Sequence, residues 1–249
     1  MKEFIALIIT TIAGLSTVIG GCIVFFKIKN KEKFISFCLS FSLSVMISLS
    51  ILDLIPASFI ELNNHYDLLK SITITCILFV VGGVLVYVLD KNIKVKKSNN
   101  SNLFKLGILN MFALMLHNFP EGIATFMTSY SDLNIGISLS LAIMMHNIPE
   151  GISIAVPLYY STGKKGRGIL YTFISALAEP FGAIVAYMFL KNYINMLTIS
   201  CVLIIVAGIM ITISINELYP EATKYNYKTQ INLGLIVGVV LVAINHFVF

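Results

Sequence analysis

The sequence predicts an all-α integral membrane protein of eight transmembrane helices, and three observations carry the prediction. Of 249 residues, 57% are hydrophobic and only 12% charged, against about 25% charged and about 45–50% apolar in a soluble domain; mean hydropathy is +0.91. Eight stretches reach the roughly 20 mostly apolar residues that a membrane helix needs. The basic residues collect in alternate loops. This pattern excludes a soluble enzyme, a disordered chain and a nucleic-acid binder, despite a formal net charge of +5.

The eight spans are residues 4–26, 34–58, 71–89, 106–128, 135–158, 169–189, 196–219 and 231–248. The first follows Met1-Lys2-Glu3, is too long for the apolar core of a signal peptide and has no clear small-residue cleavage site, so it reads as a span. Little sequence lies between spans, which leaves one domain, 1–249. The loops after spans 1, 3, 5 and 7 hold 14 of the 17 basic residues, and the other side has Lys2, Lys70 and Lys191. Positive loops stay in the cytoplasm, so both termini face outside a plasma (inner) membrane. The lysine-rich segment 91–105 is then a cytoplasmic loop, read as a topology signal and linker ahead of a site for anionic membrane lipid. Cys22, Cys38, Cys76 and Cys201 have no paired spacing and read as apolar filler.

Two repeats organise the chain. Residues 117–122, His-Asn-Phe-Pro-Glu-Gly, and 146–151, His-Asn-Ile-Pro-Glu-Gly, agree at five of six positions. Each begins 11 residues into its span, near the bilayer midplane. Residues 45–56, VMISLSILDLIP, match 209–220, IMITISINELYP, at an offset of 164, with six of twelve positions identical. Spans 2 and 7 run in opposite directions, so the second repeat is inverted. The expected arrangement is 3+2+3: inverted halves at about 1–90 and 169–249 around a central pair, 106–158. Inverted repeats with a midplane site mark secondary transporters.

Ionisable groups inside the bilayer carry the chemistry. Glu121, Glu150 and Glu179 lie near the middle of spans 4, 5 and 6, with His117 and His146 beside the first two. Each acid at a helix centre costs roughly 2.5–3.5 kcal/mol on insertion scales. No intramembrane Lys or Arg offsets them, so bound cations or protons must. His117 and Glu121 are four apart and share a helix face, as do His146 and Glu150. Pro120 and Pro149 cannot donate to the carbonyls of Leu116 and Met145, and should kink their helices there. Gly122 and Gly151 permit close helix packing. Two imidazoles, carboxylates and amide oxygens form a mixed N/O set that suits zinc and other first-row divalent ions, not an all-oxygen calcium cage. His65 and His246 read as incidental. Met46 and Met210 could be packing or soft ligands, and only the repeat favours Met46.

The two HNxPEG motifs resemble the paired signatures of the ZIP family of divalent metal transporters, in particular its bacterial ZupT/GufA-like branch. SVMISLSILDLIPA (44–57), SALAEPFGA (175–183) and GIMITISINELYPEA (208–222) resemble that branch's second, sixth and seventh helices. The resemblance implies eight helices with both ends outside and a central two-metal site. His117, Glu121, His146 and Glu150 would form one metal site. Asn118, Asn147 and Glu179 would form its neighbour, with Glu121 and Glu150 bridging, and Met46 would add a thioether. It also implies import of zinc, often with iron, manganese, cobalt or cadmium. The chain departs from the family in four places. Segment 91–105 has no His, Asp53 stands where Glu is frequent, Asn216 where His is common, and Asn147 where some members have Asp.

The function expected is therefore transport of divalent metal, held as substrate and not as a prosthetic group. Asp53 and Glu217, equivalent in the inverted repeat, would flank the path at its outer and inner ends, with Asn216 beside Glu217. An intramembrane zinc hydrolase needs three ligands, a water position and a base, and these residues could supply them. Matched acids near both faces argue for transport, and a passive metal channel is the alternative within it. Gly82-Gly83 permits either a homodimer contact or an internal one. The charge asymmetry predicts that a cysteine at Asn99 is labelled only in opened cells and one at Asn134 in intact cells; labelling of Asn99 from outside would overturn the topology.

Overall fold

The computed structural model describes residues 2–92, 101–190 and 196–248. Among the described residues the chain forms eight long helices and no strand: α1 Lys2–Phe25, α2 Lys31–His65, α3 Leu68–Asn92, α4 Ser101–Ser131, α5 Leu133–Thr162, α6 Lys165–Phe189, α7 Met196–Thr223 and α8 Lys228–Val248. Seven are long and apolar enough to cross a membrane. The eighth, α4, is long enough, but its buried face carries Asn110, His117, Asn118 and Glu121. Lys94, Lys96, Lys97 and Lys191 of the expected charge pattern lie outside the described residues.

Local sequence sets the helix ends. Asn30 caps α2 by accepting from the Lys33 N–H at 3.0 Å. Asp132 turns α4 into α5 in a single residue, its carboxylate accepting from the N–H groups of Asn134 and Ile135 at 2.9 and 3.1 Å. Gly163 closes α5 with φ at 69°, a conformation that penalises any Cβ. The helices run through Pro120, Pro149 and Pro157 without a break. The hydroxyl of Ser42 on α2 reaches the Pro149 carbonyl at 2.8 Å.

The helices pack in two groups, α1, α4, α5 and α6 in one and α2, α3, α7 and α8 in the other. Glycines set the closest approaches. A Cβ at Gly151 would overlap the Thr17 carbonyl, and one at Gly20 the Ile148 carbonyl, so α1 and α5 meet backbone to backbone. Gly122 meets the Glu179 carbonyl and Gly182 that of Phe119 in the same way, between α4 and α6. The two sets are in one register: α4 maps on α5 by 29 residues and α1 on α6 by 162. In the second group, α2 packs on α8 through Gly238, and α7 on α3 through Gly208 and Gly82. Gly82 and Gly83 both face α7, which makes that pair an internal contact.

The 45–56 and 209–220 repeats carry matching distortions. Each helix widens into one π turn, Ser50–Leu54 in α2 and Ser214–Leu218 in α7. The bounds differ by the same 164 residues as the sequences. Pro56 and Pro220 follow at once, and neither can donate to the preceding turn. An inserted residue absorbs the lost bond and re-aims the side chains of the turn. Asp53 and Glu217 both sit on these turns.

The main apolar core lies between α2 and α7 and reaches α3, α4 and α5. The most apolar window of α3 is only 11% buried, so its surface suits lipid. The four cysteines are unpaired, and only Cys38 is buried. Gly151→Val should abolish properly packed protein, because overpacking a close contact typically costs about 1–3 kcal/mol or more and here the obstacle is backbone. Gly166→Ala, which meets nothing within 4 Å, should leave the gel-filtration profile of the solubilised protein unchanged. A monodisperse, wild-type-like profile for Gly151→Val would contradict this packing.

Candidate metal centre

The signature residues meet where α4, α5 and α6 cross. His117 Nε2 lies 3.4 Å from both Glu121 Oε2 and Glu150 Oε1, and His146 Nε2 lies 3.0 Å from Glu121 Oε1. The two imidazoles are 6.1 Å apart, centre to centre. His117, Glu121 and His146 each offer an atom within 4.8 Å of the others, a spacing that one metal ion can bridge. His117 and Glu150 are fully buried, and Glu121 is only 7% exposed.

The amides and the third acid lie beside this group. Asn147 Nδ2 donates to Glu179 Oε2 and to the Ala13 carbonyl, both at 3.0 Å. Asn118 Nδ2 faces the Ser175 carbonyl at 3.5 Å. Gly14 makes room for this, since a Cβ there would press on the Glu179 side chain. The sequence motifs thus converge as two adjoining clusters, one of imidazole and carboxylate, the other of amide and carboxylate.

Polar satisfaction argues for a cation. Both carboxylate oxygens of Glu150, Oε2 of Glu121, Oε1 of Glu179, Oδ1 of Asn118 and Asn147, and Nδ1 of both histidines are buried without a hydrogen-bond partner. Buried polar groups are normally paired, and each orphan costs about 1–3 kcal/mol. So many acceptors in one place suit a positive ion with oxygen and nitrogen ligands.

A cavity of about 580 Å³ connects this centre to one end of the bundle. Glu121 and His146 line its floor, and Asp53, Thr128, Ile135, Asn245 and His246 its mouth. That end holds the α4–α5 turn and both chain termini. At the opposite end Glu217 lies near Asp90, whose carboxylate pairs with Lys105. Glu221 pairs with Lys224 there at 2.8 Å. Asp53 and Glu217 therefore lie at opposite ends of the molecule.

Residues 94–246 match the family described as ZIP zinc transporter. The chain belongs to the ZIP family. It is 37% identical over 272 residues to the zinc transporter ZupT of Clostridium perfringens, covering 98% of this chain and 95% of that protein. Zinc transporters ZupT of Streptococcus mutans and Oceanobacillus iheyensis are 36% and 39% identical over 258 residues each, covering 99% and 97% of this chain. ZIP membership makes this a multi-pass membrane transporter, not an enzyme, and sets aside the hydrolase reading of the His–Glu cluster.

Other expected residues are placed as follows. Met46 is fully buried in the α2–α7 core. One turn on, Ser50 donates to the Met46 carbonyl at 2.8 Å and touches Met210 Sδ at 3.9 Å. Asn216 is exposed. Among the described residues His65 bonds only within its own helix, to Glu61. His246 departs from its reading as incidental: its Nδ1 lies 2.5 Å from Asp53 Oδ1 at the cavity mouth. Spacing gave no signal for it, because Asp53 is 193 residues away; only the ends of spans 2 and 8 falling on the same side could have done so.

Glu150→Gln removes one buried carboxyl group and keeps the shape. The metal-free variant should melt higher than wild type, by about 2–4 °C for each kcal/mol relieved. The rise in melting temperature on adding zinc should shrink, since ligand stabilisation scales with affinity. Thermal melts of solubilised protein with and without zinc would show both. A zinc-induced rise equal to wild type would remove Glu150 from the site.

Proposed function

We propose that this chain carries divalent metal ions, zinc foremost and also iron, manganese, cobalt or cadmium, across the plasma (inner) membrane into the cytoplasm. The observation that supports it most is the set of orphaned buried acceptors at the floor of a cavity that reaches one end of the bundle. His117, Glu121, His146 and Glu150 hold one ion. Asn118, Asn147 and Glu179 complete a second position, with Glu121 and Glu150 shared. Met46 tunes the site from the adjoining core. The end bearing the termini and the cavity mouth faces outside, and the Lys105 end faces the cytoplasm.

The packing supports a reading by alternating access. Residues 1–90 and 169–249 act as inverted halves around 106–158. Exchanging α1 with α6, α2 with α7, α3 with α8 and α4 with α5 turns α1–α5 contacts into α6–α4 contacts, and α2–α8 into α7–α3. The present arrangement is open at the Asp53 end and held at the other by the Asp90–Lys105 ion pair, beside Glu217. In the reverse arrangement that pair opens and the mouth closes. A channel would need both ends open at once.

Zinc flux into liposomes holding purified protein tests this. Wild type should carry zinc down its gradient and saturate, and Glu150→Ala should reduce flux to background. Asp53→Asn should mainly raise the zinc concentration for half-maximal rate, because capture weakens. Glu217→Gln should mainly lower the maximal rate, because release slows. Full flux by Glu150→Ala at equal incorporation would end the site assignment; unchanged kinetics in both other variants would end the gate assignment.

A further inference from the structure

We propose that Asp53, His246 and Asn245 form a separate, low-affinity binding site for a partly hydrated divalent cation of the zinc type at the cavity mouth. The proposal rests on the metal-transport reading and adds a station to it. Asp53 lies on the π turn of α2 and His246 in the last turn of α8, with Nδ1 and Oδ1 2.5 Å apart. Both side chains are partly exposed, at 29% and 43%, so they meet water before the midplane ligands do. Asn245 supplies an independent sign. It is only 6% exposed, it lines the same cavity, and its Oδ1 has no hydrogen-bond partner.

One imidazole nitrogen, one carboxylate and one amide oxygen make an open N/O set that leaves room for water. Zinc is held at about 2.0–2.2 Å from such atoms, so seating an ion requires the His246–Asp53 pair to open by roughly 1 Å. To bind through Nδ1, His246 must be the neutral imidazole whose ring proton sits on Nε2. Incomplete ligation fits a station that takes an ion from water and yields it to a better-equipped one. The same cavity leads to His146 and Glu121. The α2–α8 packing that brings the pair together is fixed by Gly238 against Phe41 and Ser44, so this site belongs to the helix group that does not carry the midplane ligands.

Equilibrium dialysis of the purified, solubilised chain against zinc alone tests the assignment. Wild type should show tight zinc and one additional, weaker zinc. His246→Gln keeps a hydrogen-bonding partner for Asp53 but lacks the imidazole nitrogen; it should weaken the second class at least about tenfold and retain the tight class. Asp53→Asn should do the same. Glu150→Ala should lose tight zinc and keep the weaker. A His246→Gln isotherm superimposable on wild type overturns the mouth site while leaving the transport reading intact, as does loss of tight zinc along with the weak. Absence of any zinc bound to wild type overturns both.

Discussion

Three carboxylates buried together, with no Lys or Arg among the described residues paired to them, are the constraint on which the rest depends. Without a cation, Glu121, Glu150 and Glu179 hold one another at a cost that the apolar helices around them cannot offset by hydrogen bonding. His117 and His146 answer part of that charge, and Asn147 part of the rest. The remaining acceptors are unpaired. A protein selected for stability alone would replace this cluster with Leu or Phe. Retaining it sacrifices stability for a place where an ion is favoured.

The close packing around that cluster serves the same end. α1 lies against α5 and α6 against α4 with nothing larger than hydrogen between backbones at Gly20, Gly151, Gly122 and Gly182. Tight backbone contact holds these helices together, so that the seven candidate ligands, His117, Asn118, Glu121, His146, Asn147, Glu150 and Glu179, keep their mutual distances. Side-chain contacts lie between these helices and the α2–α7 core.

Much of this was legible in the sequence because its cause is local. Twenty apolar residues make a span whatever surrounds them. A four-residue spacing puts His117 and Glu121 on one face, and the doubled motif places the same face on two neighbouring helices. The 164-residue repeat was readable too, and the π turns fall at its matching positions. What escaped depends on partners far apart in the chain. Asp53 meets His246 only because α2 and α8 pack, and Asp90 meets Glu217 only because α3 and α7 do. Neither pair has a periodicity to read. The π turns themselves were hidden because a proline signals a lost bond without saying how the backbone absorbs it.

Ser50 and Ser214 occupy equivalent places 164 residues apart, yet only Ser50 touches the opposite methionine; the Ser214 hydroxyl is buried and unpaired. Two sites that are chemically the same but differently paired would suit a seesaw. If the reversed arrangement gives Ser214 the contact with Met46 that Ser50 now has with Met210, tilting trades one bond for its twin. Were the two arrangements close in energy on that account, the direction of net movement would be left to the ion's own concentrations.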